Sequence, residues 1–110
     1  NKRINQPGRF FVITGRQTFS AALMFTARME RRTEALFVGE PGAGKPNSYG
    51  EFNAFTLENT KMYGSISSRW HEEGKPDDTR EFIPVDIAVP LGSKDFFAGR
   101  DPVLEAILAY

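Results

Sequence analysis

The chain has 110 residues, 14 Lys and Arg balanced by 14 Asp and Glu, and no Cys. Its 40% hydrophobic content with 10 Gly suits one globular domain or part of one, which argues against a disordered tail or linker. Zero net charge removes the basic excess that nucleic-acid or anionic-membrane binding favours, and the lack of Cys excludes a disulfide framework and any Cys-held metal.

The longest apolar runs, residues 10–13 and 21–25, fall far short of the ~18 needed to cross a bilayer. No apolar signal core follows Asn1-Lys2-Arg3, so the chain is expected to be a mature or excised piece without its targeting segment. Residues 1–9 are polar and turn-rich and are expected to be a lead-in. Phe10-Phe11-Val12-Ile13-Thr14, aromatic and β-branched, predicts a short strand buried on both faces. After the break at Gly15, helix formers over 21–32 predict a helix that opens just past Ser20. Its first half is apolar all round and so is expected to be buried, while Arg28, Glu30, Arg31 and Arg32 carry the second half into water. Ala35-Leu36-Phe37-Val38 predicts a second buried strand, and strand–helix–strand at this spacing reads as a βαβ unit with parallel strands.

Gly39 to Pro46 is the most loop-like stretch, with five of eight residues Gly or Pro. Segments 51–57 and 62–70, joined through Glu58-Asn59-Thr60, alternate apolar and polar residues and predict a β-hairpin. Residues 71–81 carry Glu72, Glu73, Asp77, Asp78 and Glu81 with Gly74 and Pro76, the composition of a solvated loop. A strand is expected over 85–89 between Pro84 and Pro90, and Asp101-Pro102 predicts a helix start, an acid at the cap and Pro at the first position. The fold class is therefore α/β, a βαβ core with an added hairpin.

Two chemistries compete for the first loop. Gly39-Glu40-Pro41-Gly42-Ala43-Gly44-Lys45 fits the G-x-x-x-x-G-K phosphate loop after a buried strand, yet the next residue is Pro46. Proline supplies neither the hydroxyl for Mg²⁺ nor an N–H for phosphate, and strand alternation follows where a helix should begin. The other reading joins Lys45 to Ser20. A hydroxyl at a helix start, followed by small Ala21 and Ala22, sits beside free N–H groups able to stabilise an oxyanion. The structural reading of the same residue is an N-cap, where Ser is among the favoured types.

Thr18-Phe19-Ser20-Ala21-Ala22, Ala35-Leu36-Phe37-Val38-Gly39-Glu40-Pro41 and Gly44-Lys45 together resemble the C-terminal-processing (tail-specific) serine peptidase family. In that family the nucleophile opens a helix in a Ser/Ala run, and a catalytic Lys follows 25 residues later in a Gly-Glu-Pro-Thr-x-Gly-Lys loop, the interval from Ser20 to Lys45. Ile83-Pro84-Val85-Asp86-Ile87-Ala88-Val89 resembles the family's Pro-Asp-hydrophobic strand, and Asp101-Pro102-Val103-Leu104-Glu105-Ala106 its closing helix. The likeness covers roughly residues 10–110, in order. It implies the C-terminal half of a crotonase-like peptidase domain spanning 1–110, the rest lying upstream. It also implies Ser20 as nucleophile, Lys45 as general base, the Ala21 N–H as one oxyanion donor, and unfolded or C-terminal polypeptide as substrate.

The chain departs from the pattern in two places. Gly42-Ala43 replaces the Thr of the loop, and the family's Asp-x-x-Arg before the second strand stands reversed as Arg31 and Glu34, still expected to attract. The stretch from Gly44 to Gly50 is similar to a branch without a fixed Lys, so the base is Lys45 or, as in tricorn-type members, a His upstream. His71 offers a base for a Ser–His pairing but, beside acidic residues, reads first as a solvated side chain. Asp77 and Asp78 could orient a base but read first as hydrated acids, and Glu40 reads as a loop anchor. Phe19 and Phe25 are core candidates first and substrate-pocket candidates second, and Tyr49, Phe52 and Trp70 are subsite walls or hairpin packing. No cluster implies a metal or cofactor. Relatives are commonly exported, which favours a periplasmic or secreted protein. The rival class is a non-catalytic binding domain of the same fold, with nucleotide binding at Gly39–Lys45 behind it.

Overall fold

The computed structural model describes residues 2–110; Asn1, the first residue of the expected lead-in, lies outside them. The elements are β1 (Phe11–Thr14), α1 (Ala21–Arg32), β2 (Leu36–Gly39), β3 (Asn47–Thr56), β4 (Tyr63–Glu72), β5 (Ile87–Ala88), α2 (Ser93–Phe97) and α3 (Pro102–Leu108). They form a mixed α/β arrangement of two sheets. The first is parallel, in the order β1-β2-β5, and the second is the antiparallel pair β3-β4.

The βαβ unit has the expected form. Phe11 pairs with Leu36 and Thr14 with Gly39, so β1 and β2 run side by side with α1 as their crossover. Gly39 has φ +116, and a β-carbon there would lie 2.2 Å from the Thr14 carbonyl oxygen. Only glycine allows that approach. Thr14 Oγ1 then donates to the Glu40 carbonyl at 2.9 Å, which fixes where the chain leaves β2.

Burial is more selective than composition implied. Leu23, Thr26 and Ala27, at helical spacing, form the buried stripe of α1, and Leu23 and Ala27 pack with Ile83. Phe25 is 58% exposed and, with Ala22 and Ile13, lines an open groove, so neither the first half of α1 nor β1 is buried all round. Phe19 is exposed as well, which removes both phenylalanines from the core. The reason is geometric: one face of the helix packs on Ile83 in the loop before β5, and apolar residues elsewhere on it stay uncovered.

The acidic segment is tied down rather than merely hydrated. The Arg28 guanidinium grips Glu73, Arg31 Nη1 donates to the Gly74 carbonyl at 2.9 Å, and Arg80 bridges Glu30 and Asp78. Arg31 therefore does not pair with Glu34, because α1 ends at Arg32 and Glu34 lies in the extended link beyond it. Buried Asn47 holds the same segment from the other side, accepting from the Gly74 N–H at 2.9 Å and donating to the Lys75 carbonyl at 2.8 Å. The expected strand over 85–89 shrinks to β5, since Asp86 Oδ2 itself accepts the Phe37 N–H at 2.7 Å in place of a backbone carbonyl. Asp101 caps α3 through Oδ1, which accepts from the Leu104 N–H at 2.9 Å, with Pro102 in the first turn. No described helix is long and apolar enough to cross a membrane.

Candidate functional site

Ser20 sits where β1's exit turns into α1. Its backbone lies at φ +55, ψ −124, a combination that L-residues avoid and that costs roughly 1–3 kcal/mol. Its hydroxyl accepts no bond from the helix's first N–H groups, so the capping explanation for a serine here does not apply. The Ala22 N–H donates to the Phe19 carbonyl and the Met24 N–H to the Ser20 carbonyl. The Ala21 N–H has no partner among the described residues and remains a free donor at the positive end of the helix.

The loop after β2 is pressed onto the same helix. The Ala43 N–H donates to the Thr18 carbonyl at 2.9 Å. Gly42 and Gly44 lie against the Leu23 methyls so closely that β-carbons on them would meet those methyls at 3.1 and 2.9 Å. One leucine thus carries the Lys45 loop one turn from Ser20. The hairpin supplies the facing wall. Ser48 pairs with His71 and Phe52 with Ser67, and alternation puts all four, with Gly50, on one face. The result is a cleft of about 340 Å³ lined by Ser20, Leu23, Lys45, Ser48, Phe52 and His71, among others.

Each expected site residue can now be located. Ser20 lines the cleft and Lys45 lines it from the loop, while Ala21, whose N–H is free, is not among the lining residues. Lys45 is not in a dry environment: its Nζ donates to Glu81 Oε1 at 2.8 Å, with the two side chains 50% and 73% exposed. The small glycines around it build no wall against water, and an open carboxylate within reach holds the ammonium. His71 is the converse case. Its side chain is 15% exposed and lines the cleft rather than standing in solvent. The hairpin extends to Glu72, two residues further than the alternation suggested, and this puts His71 in register with Ser48. The register itself, continued past Trp70, is the signal that would have found it.

Tyr49 and Phe52 border the cleft, and Trp70 meets the Tyr49 ring edge-on with centroids 5.0 Å apart. Glu40 anchors its loop as expected, its carboxylate accepting from Arg16 Nε at 3.1 Å. Asp78 is committed to Arg80, whose guanidinium holds that carboxyl below the usual aspartate range, and it does not line the cleft. The phosphate-loop geometry is absent: residues 40–46 lead from β2 into strand β3, so no helix begins at the end of the loop. Among the described residues no group of His, Asp and Glu is arranged to hold a metal ion. No family model matches the chain, and no curated protein matches it.

Proposed function

We propose that this chain is the nucleophile-bearing part of a serine peptidase, with a crotonase-like arrangement of its βαβ core, acting on unfolded or C-terminal polypeptide. The observation that carries this reading is Ser20: a strained residue with an uncommitted hydroxyl, opening a helix beneath a cleft. A serine kept at positive φ without capping its helix gains nothing for stability. The same placement is what a nucleophile requires.

In this reading Ser20 Oγ attacks the scissile carbonyl, and the Ala21 N–H stabilises the oxyanion that develops. A second donor and the rest of the peptidase domain would come from upstream. The resemblance assigns the proton to Lys45 or to an upstream His. Extended substrate would dock by strand addition, and β1, an edge strand among the described residues, offers an open ladder for it. The test is hydrolysis of a reduced, carboxymethylated protein by the intact gene product. Ser20→Ala is expected to lower the rate about a thousandfold or more. Hydrolysis at the wild-type rate by Ser20→Ala would end the reading, and binding of the polypeptide without cleavage by either form would favour a non-catalytic domain.

A further inference from the structure

We propose that His71, steered by the Glu51 carboxylate, is the group that takes the proton from Ser20. This rests on the peptidase reading of Ser20 and assigns its base to the hairpin of this chain.

Three observations lead there. The first is location: His71 shares the cleft with Ser20, mostly buried, and neither ring nitrogen makes a hydrogen bond among the described residues. A polar ring left unpaired in a partly dry cleft is available to a hydroxyl or a substrate. The second is its neighbour. Glu51 Oε1 lies 3.8 Å from Nε2, beyond hydrogen-bond length but close enough to pair with the ring once it takes up a proton. Glu51 stands at φ +44 in the middle of β3, a strained backbone for a side chain of that size. The third is Gly50, where a β-carbon would lie 3.0 Å from His71 Cδ2 and 3.2 Å from Nε2. The strand is pared to hydrogen at the point where the ring lies over it.

Lys45 is the less suitable acceptor. Its Nζ, bound to Glu81, would have to lose both that partner and a proton before it had a lone pair to offer. The charged groups around the imidazole are Glu51 on β3, Arg69 beyond it at 3.1 Å from the same Oε1, Glu73 past the end of β4, and Lys45 on the loop. The side that α1 presents to the cleft, Ser20, Leu23 and Met24, carries no charge.

The steps balance within this set and water. Ser20 Oγ–H breaks with its proton passing to the ring as Oγ bonds the carbonyl carbon, and the π pair moves to oxygen beside the Ala21 N–H. The ring returns that proton to the amide nitrogen as the C–N bond breaks, releasing an amine and leaving an acyl-serine. Water then adds to the acyl carbon and gives its proton to the ring. That proton goes back to Oγ as the acyl C–O bond breaks and the acid departs. Glu51 acts through the ring and is a positioning residue.

The test is the pH dependence of kcat/KM for peptide hydrolysis by the intact gene product and its His71→Gln, His71→Ala, Glu51→Gln, Glu51→Asp and Ser20→Ala variants. The wild-type rate is expected to rise with pH through the range in which imidazoles titrate, about pH 6–7, rather than the range above about pH 9 where an ammonium does. His71→Gln is expected to lower the rate about 10²–10⁴-fold, and imidazole added to His71→Ala to restore part of it. Glu51→Gln should lower kcat more than it changes KM, and Glu51→Asp should restore part of the loss, since the carboxylate acts only through the ring. Activity that vanishes in Ser20→Ala but keeps its rate and acid limb in His71→Gln overturns the base and leaves the nucleophile standing. Full activity in Ser20→Ala overturns the nucleophile and the base with it.

Discussion

Leu23 connects stability to the site, and truncating it separates the two. The side chain is 5% exposed, packs with Ala27 and Ile83, and lays its two methyls against Gly42 and Gly44. Leu23→Ala removes those methyls from a position with little room to collapse, which costs about 3 kcal/mol within the 2–5 typical of such changes. For a domain of this size each 1 kcal/mol moves Tm by about 4–8 °C, so a fall of roughly 12–24 °C is expected. Phe25→Ala is the control on the same helix. A fully buried Phe contributes about 1.5–3 kcal/mol, and at 58% exposure less than half of that applies, about 1 kcal/mol. Thermal and urea unfolding followed by circular dichroism would measure both. The account also predicts coupling: Gly44→Ala, whose β-carbon would press on Leu23 Cδ2 at 2.9 Å, should cost less in the Leu23→Ala background than alone. A loss under 1 kcal/mol for Leu23→Ala, or equal losses for the two helix variants, would refute this packing.

Other consequences follow from single positions. Gly39→Ala forces a β-carbon to 2.2 Å from the Thr14 carbonyl at φ +116, and should cost about 3 kcal/mol or more, seen as a lower Tm or loss of soluble protein. Ser20→Gly should melt no lower than the wild type, because glycine relieves φ +55 and no capping bond is lost, while hydrolysis disappears; a clear drop in Tm would restore the capping role. Arg28 beside Glu73 and Arg80 beside Asp78 hold both carboxyls below their ordinary range. The stability they contribute is complete above the unfolded carboxyl values, about 4, and drains away as pH falls through the lower folded values. Tm should therefore stay level from neutral pH down to about 5 and drop below about 4, less steeply in Asp78→Asn. An acid slope unchanged by that substitution would remove Asp78 from the cause.

The elements best read from sequence are those whose signals are local. α1 runs over the residues its helix formers marked, β1 and β2 pair in parallel, and Asp101-Pro102 starts α3 with the bond that its residue types foretold. Reading failed where a partner distant in sequence decides. The hairpin outran its apolar alternation because Ser48 and His71 pair through backbone groups that hydropathy does not register. Asp86 took a ladder position with its side chain, which shortened β5. α2 escaped notice because Ser93-Lys94-Asp95 at its start carries no apolar period. At the site, Ser20 and the Lys45 loop were legible as a pair, whereas Lys45 finds its partner Glu81 36 residues on, and His71 is placed by the pairing of β4 with β3.

The central claim is that one hydroxyl in the cleft is primed for attack, and three serines line that cleft: Ser20, Ser48 and Ser67. Reaction of the intact gene product with a fluorophosphonate, followed by peptide mapping on a mass spectrometer, distinguishes them directly. The account predicts one adduct, on Ser20, abolished by prior denaturation. An adduct on Ser48 or Ser67, or no adduct on the folded protein, would contradict it.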